Sequence, residues 1–512
     1  MGQATTTTAI TVKEYAYSRH KPEETTLYKI VQNNWLTFQE QVEHDTGYPL
    51  PDFVKKEFNE YLRCGILAHG FLRAQCGSCK SAHLVAFSCK RRGFCPSCGA
   101  RRMSETAAHL VDAVLPVEPI RQWVLSFPFQ IRLCLAVRPK IMARALEITH
   151  HAISTHYLQK AGLQKSNGKA GAVTLIQRFG GSLNLNVHFH QLFLDGCYEL
   201  GPTQEPMRFI ATEPPTVQEL EQVLAQIIRR LTRYLIRQQI IVRDNDSEFQ
   251  LEIPADDTFS RLQASSVTYR FATGPSKGKK AMVLKSLTGQ MPDGDHSASF
   301  GLVAKNSGFS LHAGVATKKH ERDKLERICR YIARPAVAES RLSLNDTGAV
   351  IYRFKKPWDD GTTAIKLTPL EMMERLAALV PRPRVHLTRF HGVLGPHYKY
   401  RKFIVPKKKS ELTLTTAAAA GAVHPADSDK PPASAKRIAW AQLLKRVFNI
   451  DISVCSRCRG KVKIIAAIED PKVIKKILSH MGLPSSAPKL APARGPPKSD
   501  QTELHLEEFF DN

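Results

Sequence analysis

The sequence lacks any long apolar run. No stretch approaches the ~18 uninterrupted apolar residues that a membrane helix requires, and the best candidate, Trp123–Val137, is interrupted by Gln130 and Arg132. Met1–Ile10 is rich in Thr and contains neither the basic start nor the apolar core of a secretory signal. These absences predict a cytoplasmic chain with no membrane partner.

Acidic residues are few relative to basic ones. The chain has 47 Asp and Glu against 73 Lys and Arg, which gives a net charge of +26 at pH 7. Because each Lys or Arg placed on a phosphate releases condensed counterions, this excess favours a nucleic acid as partner. The alternative is a chain that is basic without such a partner. The sequence also has no Walker-type Gly-x-x-x-x-Gly-Lys-Ser/Thr motif, so no ATP-driven step is expected.

Composition and periodicity predict several segments, because 512 residues exceed one ordinary core. Helical periodicity appears over Lys140–Lys160, Val217–Gln238, Glu321–Arg334 and Pro369–Leu379, and β-rich runs over Ala172–Arg178 and Asn186–Leu194. We therefore predict an α+β fold with an antiparallel sheet and packed helices. The predicted segments are a disordered N-terminus (1–28), a zinc-binding and DNA-binding domain (29–117), the large α+β domain (118–406), a linker (407–436), a small C-terminal module (437–483) and a disordered tail (484–512).

The cysteines are arranged as metal ligands. In a reducing compartment, C-x-x-C pairs indicate metal ligation before disulfides. Cys76 and Cys79 are separated from Cys95 and Cys98 by fifteen residues, a spacing typical of a four-cysteine structural zinc site. Other residues nearby could replace a ligand or build a second site, although small buried residues are the favoured interpretation: Cys64, Cys89, His69 and His83.

Two further features accompany these pairs. Cys455 and Cys458 form a possible second metal site whose only evident later ligand is His480, and a paired thiol site is the alternative. Arg91 and Arg92 belong to a basic rim around the first site. That rim predicts contact with DNA phosphates. The alternative is a zinc site that only stabilises the fold and does not contact DNA.

Two histidines stand one residue apart on a predicted strand. His188 and His190 point to the same face, so a shared divalent cation would satisfy both rings. If the hairpin turns about Gly180–Asn184, Gln177 falls opposite His188, and its amide oxygen would suit Mg²⁺ or Mn²⁺. The alternative is a pair of ordinary core or surface histidines.

A tyrosine on the helix Glu321–Arg334 has arginines on its own face. Arg327 lies four residues before Tyr331 and Arg334 three residues after it. A phenol is a poor nucleophile unless a cation stabilises the phenolate or the phosphate it attacks, and guanidinium groups grip phosphodiesters. The alternative is a packed tyrosine with solvated arginines. Backbone phosphates are also predicted to contact Lys407, Lys408 and Lys409, at the end of the basic stretch Arg382–Lys409.

Together these motifs resemble the rolling-circle transposases of bacterial insertion-sequence family ninety-one and its common-region (ISCR) relatives. The resemblance covers roughly residues 30 to 406. It depends on four motifs in order: SCKRRGFCPSC at Ser88–Cys98, QRFG at Gln177–Gly180 with LNVHFH at Leu185–His190, RYIARP at Arg330–Pro335, and RFHG at Arg389–Gly392. The family founders carry two tyrosines spaced by three residues, but Arg327 stands four residues before Tyr331, so the chain resembles the single-tyrosine branch.

The resemblance implies a His-hydrophobe-His (HUH) nuclease core in which His188 and His190 bind the catalytic metal and Tyr331 is the nucleophile. It implies nicking and joining of single-stranded DNA at element termini and target sites through a 5′-phosphotyrosine intermediate, in a nucleoid-associated bacterial protein. Two other functions stay open at this point: a rolling-circle replication initiator, and a non-enzymatic zinc-ribbon regulator in which the histidines are core residues.

Overall fold

A computed structural model of the chain describes residues 20–203, 205–243, 249–251, 257–285, 301–358, 360–406 and 453–495. The predicted α+β class agrees with its mixture of helices and antiparallel strands. The helices are α1 Thr26–Thr46, α2 Asp52–Arg63, α3 Pro96–Ala113, α4 Phe129–Val137, α5 Pro139–Lys160, α6 Val217–Arg237, α7 Thr258–Val267, α8 Arg322–Ile332, α9 Pro369–Leu379, α10 Arg401–Ile404 and α11 Pro471–His480.

The strands of the described residues fall into several sheets. They are β1 Phe71–Cys76, β2 Ala82–Ala86, β3 Ile120–Ser126, β4 Gly168–Lys169, β5 Gly171–Phe179, β6 Leu185–Leu194, β7 Gly196–Leu200, β8 Pro206–Ala211, β9 Ile241–Arg243, β10 Phe249–Leu251, β11 Met282–Lys285, β12 Val303–Asn306, β13 Phe309–Thr317, β14 Leu342–Leu344, β15 Val350–Arg353, β16 Thr362–Leu367, β17 Thr388–Gly392 and β18 Val462–Ile468.

A six-stranded antiparallel sheet forms the centre of the large domain, in the order β12-β13-β3-β6-β5-β17. The predicted β-rich runs become β5 and β6, which pair as a hairpin. The edge strand β17 comes from the basic stretch after α9 and was not predicted as a strand. The histidine strand β6 is therefore an inner strand, hydrogen-bonded on both sides, which limits how far its side chains can move.

Helices cover both faces of this sheet. On one face, Val173 and Leu192 pack against the apolar stripes of α3 and α8. On the other face, Phe189 and Phe193 pack against α4, α5 and α6. Because side chains alternate along a strand, His188 and His190 share the face of Leu192 and therefore look toward α3 and α8.

Local sequence signals explain where the long helices begin. Thr216 and Glu219 form a capping box at the start of α6, and Thr368 and Glu371 form another at the start of α9. Helix α8 ends at Ile332, shortly before Pro335, which cannot continue a helix. The predicted helices are confirmed to within two residues at each end.

The N-terminal helices share a second core with the large domain. Trp35 of α1 stacks on Phe58 of α2 with ring centroids 4.5 Å apart, and both belong to a cluster that includes residues of α7, α9 and the sheet β11-β16-β15-β14. The zinc-binding segment is thus not an independently packed domain. Its helices bury apolar surface against the same body that contains the sheet.

The tail was predicted to be disordered from residue 484, but its first part lies along α1. Arg494 donates from Nη2 to Asn34 Oδ1 over 2.6 Å, and Gln32 donates to the carbonyl oxygen of Lys489 over 2.7 Å. These hydrogen bonds correct the predicted disorder for residues 484–495. The predicted linker 407–436, with Lys407, Lys408 and Lys409, lies outside the described residues. Among the described helices, none combines the length and apolar character needed to cross a membrane.

Candidate active site

The histidine pair lies on one face of the central sheet. The ring centroids of His188 and His190 are 4.9 Å apart, with the ring planes inclined at 64°. On the neighbouring strand β5, Gln177 is the residue paired with His188, so the predicted register of the hairpin is confirmed. Three potential ligand side chains for one cation therefore share a small area of the sheet.

Hydrogen bonds determine which ring nitrogen of each histidine faces the site. His188 Nδ1 lies 2.9 Å from the backbone carbonyl oxygen of Asn186, and a carbonyl only accepts, so Nδ1 carries the proton and Nε2 keeps its lone pair. His190 Nδ1 lies 2.8 Å from the side-chain amide of Gln122 on β3. The atom placed there is the amide nitrogen Nε2 of Gln122, which donates to Nδ1; turning the amide so that its oxygen accepts makes Nδ1 the donor and leaves Nε2 of His190 with its lone pair. His190 Nε2 is buried and has no hydrogen-bond partner among the described residues.

The surroundings of the pair keep both imidazoles neutral. Burial, together with the charges of Arg334 and Arg132, lowers the pKa of His188 to about 4, although the hydrogen bond to the Asn186 carbonyl opposes the shift. Burial, with His188 and Arg334 as further causes, holds the pKa of His190 well below its ordinary range. A neutral imidazole can ligate a metal through the ring nitrogen that keeps its lone pair, so at neutral pH both rings can act as ligands rather than as cations. An orphaned buried nitrogen beside a second available nitrogen fits a divalent cation.

The tyrosine helix lies beside this face. Tyr331, near the end of α8, is 46% exposed. Arg334 places Cζ 4.3 Å from the centre of the Tyr331 ring and donates from Nη1 to the Tyr331 carbonyl oxygen over 2.8 Å. Lys355 places Nζ 5.1 Å from the same ring. An accessible phenol thus has two cations against it, and Arg334 also acts on both histidines.

One hydrogen bond connects the tyrosine helix to the histidine hairpin. Gln177 donates from Nε2 to the carbonyl oxygen of Ile332 over 3.1 Å. Because the nitrogen of the amide is engaged there, its oxygen is the end that could ligate a cation. Arg327 is exposed on α8. The structure therefore brings Gln177, Tyr331 and Arg334 to the histidine face.

The cysteines gather into two clusters, not one. The inner cluster consists of Cys64, Cys89, Cys95 and Cys98, and the outer cluster consists of Cys76, Cys79, Cys455 and Cys458. Within each, the four sulfur atoms lie within 4.8 Å of one another. The single site predicted from the two N-terminal C-x-x-C pairs is therefore corrected, because each pair finds its partners elsewhere. The prediction that Cys64 and Cys89 are merely small buried residues is also corrected.

The inner cluster lies at the start of α3. Cys95 is the N-cap of that helix and Cys98 is in its first turn, where backbone N–H groups stabilise thiolates. Cys98 Sγ lies 3.7 Å from Cys64 Sγ and 3.4 Å from Cys89 Sγ, and contact with the neighbouring thiols lowers the pKa of Cys98. His69 and His83 belong to neither cluster, and neither does His480.

The inner cluster also contacts the segment that follows Tyr331. A Cβ added at Gly99, next to Cys98, would lie 2.5 Å from Pro335 Cβ. This close approach is possible because Gly99 has no side chain. The first turn of α3, which carries Cys98, is therefore packed directly on the segment that follows the tyrosine helix.

The basic residues predicted to bind phosphate differ in their exposure to solvent. Arg92 is exposed and donates from Nη1 to the carbonyl oxygen of Val385 over 2.9 Å, whereas Arg91 is partly buried. Sequence reasoning did not single out Gln122, Arg132 or Lys355, which the structure brings to the site. The alternation of side chains along β3 indicates the face of the sheet on which Gln122 lies. That face could have been connected with the histidines only if the pairing of β3 with β6 had been known.

Two family models match the chain. One, described as "Putative transposase", matches residues 171–402, which include the histidine strand and Tyr331. The other, described as "Transposase zinc-binding domain" and belonging to the IS91 family, matches residues 30–127, which include the inner cluster. No curated protein and no solved structure matches the chain. Residues 171–402 are therefore similar to transposases, and residues 30–127 are similar to the zinc-binding domain of IS91-type transposases.

Proposed function

We propose that this protein is a transposase that nicks and joins single-stranded DNA at insertion-sequence ends by rolling-circle chemistry, with Tyr331 as the nucleophile of an HUH-type active site. The observation that carries the proposal is that Arg334, which lies against the Tyr331 ring, also lowers the pKa of both histidines, while Gln177, paired with His188, donates to the carbonyl oxygen of Ile332 next to Tyr331. A zinc-ribbon regulator would have no need for an exposed phenol held between two cations or for a buried imidazole nitrogen without a partner. The single tyrosine supports the common-region (ISCR-like) branch.

The nitrogens Nε2 of His188 and His190, with the side-chain oxygen of Gln177, would hold the catalytic Mg²⁺ or Mn²⁺. When bound, the cation would polarise the scissile phosphate and stabilise the charge that develops on it. The protein contributes the arrangement of the ligands. Asn186 fixes the tautomer of His188, Gln122 orients His190, and the inner strand β6 holds both.

Tyr331 would attack the phosphorus in line. The bond from the phenol oxygen to phosphorus forms while the bond to the 3′ oxygen breaks, which leaves a 5′-phosphotyrosine and a free 3′-hydroxyl. Arg334 and Lys355 would stabilise the phenolate and grip the phosphate. Because the phosphotyrosine conserves the energy of the broken bond, a 3′-hydroxyl can reverse the step at a target site without ATP.

DNA is also the partner that the charge favours. The net charge of +26 supports binding to a polyanion throughout the transposition cycle. An exposed nucleophile supports single strands as substrate, because a base-paired duplex is stiffer and harder to bend onto a single side chain. Such a protein would act on the bacterial nucleoid.

The proposal is tested by incubating the purified protein with single-stranded oligonucleotides that carry the element ends. A covalent protein–DNA adduct should appear with Mg²⁺ or Mn²⁺ and disappear with EDTA. His190→Ala should abolish the adduct but leave DNA affinity near that of the wild type, since the cation's role cannot be replaced. DNA binding without an adduct under any metal condition would instead support the non-enzymatic regulator.

A further inference from the structure

We propose that the outer cluster is a second structural zinc site, which the C-terminal segment completes and which fastens that segment to the N-terminal zinc-binding domain. Its ligands Cys455 and Cys458 lie outside both matched family regions. The site therefore adds a metal, and a domain connection, to those expected of the zinc-binding domain alone.

The sulfur geometry fits a four-thiolate ion. Cys76 Sγ lies 3.4 Å from Cys458 Sγ, and Cys79 Sγ lies 3.6 Å from Cys455 Sγ. Four sulfurs at ~2.3 Å from a tetrahedral zinc ion stand about 3.8 Å apart. Both distances are thus close to those of a zinc-bound set. Zinc is favoured over other divalent ions because a tetrahedral all-sulfur set is its ordinary structural site.

The two C-x-x-C turns have matching backbones. In each, the residue after the second cysteine has a left-handed conformation: Lys80 with φ 60° and Arg459 with φ 58°. In each, the first cysteine donates its N–H to a carbonyl five residues on, Cys76 to Ser81 over 2.9 Å and Cys455 to Gly460 over 2.8 Å. Two equivalent turns that face one another are how zinc ribbons present four thiolates to one ion.

The turns also fit together closely. Gly77 donates its N–H to the carbonyl oxygen of Lys461 over 3.0 Å. A Cβ added at Gly460 would lie 2.5 Å from Ser78 Oγ and 2.9 Å from Cys76 Sγ. The absence of a side chain at Gly460 is therefore what lets the second turn approach the first.

The rest of the C-terminal segment extends the same contact. Strand β18 pairs antiparallel with β1, from Val462 opposite Cys76 to Ile468 opposite Phe71. Helix α11 then packs Ile474 and Leu478 against Phe71. Because this small core buries few apolar side chains, the ion would supply much of the energy that holds the segment in place.

The first test is metal analysis of the full-length protein by mass spectrometry, with zinc and iron both measured. We expect two zinc ions per chain in the wild type and one in the double variant Cys455→Ser/Cys458→Ser. Arg457→Ala, in the same turn and exposed, is the matched control and should keep two. Gly460→Val keeps every thiol, yet it should reduce zinc toward one per chain by wedging the turns apart.

The second test is hydrogen–deuterium exchange, which reports whether the segment is released. In the double variant, amides of β18 should exchange at least about tenfold faster, whereas those of β6 should be unchanged. One zinc in the wild type, two zinc ions retained in the double variant, or iron in place of zinc would each overturn the proposal. Loss of zinc with unchanged protection of β18 would overturn the fastening role.

Discussion

Gln177 donates a hydrogen bond from its side-chain nitrogen to the carbonyl oxygen of Ile332, over 3.1 Å. Ile332 directly follows Tyr331, and Gln177 is the residue paired with His188 across the hairpin. One side chain thus links the strand that carries a proposed metal ligand to the helix that carries the proposed nucleophile. The distance between metal and phenol would depend on it.

Replacement of Gln177 by Leu should therefore reduce both strand cleavage and stability. We expect a loss of roughly 100-fold in strand cleavage, because a displacement of ~1 Å in a reacting group has that scale of effect. The unpaired carbonyl should cost about 1–3 kcal/mol of unfolding free energy. Gln263 is a matched control, because it is buried and donates to the carbonyl oxygen of Ala378 over 3.3 Å away from the site. Gln263→Leu with the same loss of cleavage would contradict a specific role for Gln177.

Gly99→Ala should disturb the tyrosine helix without removing a cysteine. The added Cβ would lie 2.5 Å from Pro335 Cβ, so the segment after Tyr331 must shift. We expect cleavage to fall about tenfold or more while zinc content stays at the wild-type value. Gly181→Ala, where a Cβ meets nothing within 4 Å, should cleave normally. If Gly99→Ala cleaves DNA at the wild-type rate, a shift at the Gly99–Pro335 contact does not affect the active site.

Arg334 should matter through its charge and its planar shape together. Arg334→Ala should lower the rate of adduct formation by roughly 100-fold, and Arg334→Lys should recover only part of it, since an ammonium cannot make the same paired contacts. The rates are compared in single-turnover assays with saturating DNA, which separate chemistry from binding. Equal rates for the Lys variant and the wild type would mean that charge alone suffices.

The histidines on the opposite face of the sheet should make the fold acid-sensitive. His150 stacks on His391 with ring centroids 4.5 Å apart. Burial lowers the pKa of His150 to about 3 and that of His391 to about 4. Between pH ~4 and ~6.5 the unfolded chain therefore binds protons that the folded chain does not, so stability is lost as pH falls through this window.

His150→Phe should flatten this dependence. Phe can keep the stack on Phe193, which lies 5.4 Å from the His150 ring, while removing one titrating group. Denaturant midpoints measured at pH 7, 6 and 5 should fall less steeply in the variant than in the wild type. An unchanged slope would assign the acid sensitivity to other groups.

The local patterns of the sequence predicted the candidate site better than its long-range pairings. Alternation along Asn186–Leu194 and the Gly-rich turn fixed the register of Gln177 with His188, because both are short-range properties. The helical stripe of Leu325, Cys329 and Ile332 likewise predicted α8. Only the family resemblance predicted that α8 lies close to the β5-β6 hairpin.

The cysteines show why contacts between residues far apart in the sequence could not be predicted. A C-x-x-C pair defines a turn that presents two thiolates, but its spacing does not determine which second pair completes the site. Cys455 lies 376 residues from Cys79, and the two meet only because β18 pairs with β1. Lys355 reaches Tyr331 in the same way, through the packing of one sheet near another helix.

The central claim is that Tyr331 becomes covalently attached to DNA. The most direct measurement is peptide mapping by mass spectrometry of the adduct formed on a single-stranded oligonucleotide with Mg²⁺ or Mn²⁺. The account predicts the nucleotide phosphate on Tyr331, and no adduct from Tyr331→Phe, whose fold and DNA affinity should survive. Attachment to Tyr352, Tyr398 or Tyr400, or an adduct of undiminished yield from Tyr331→Phe, would contradict it.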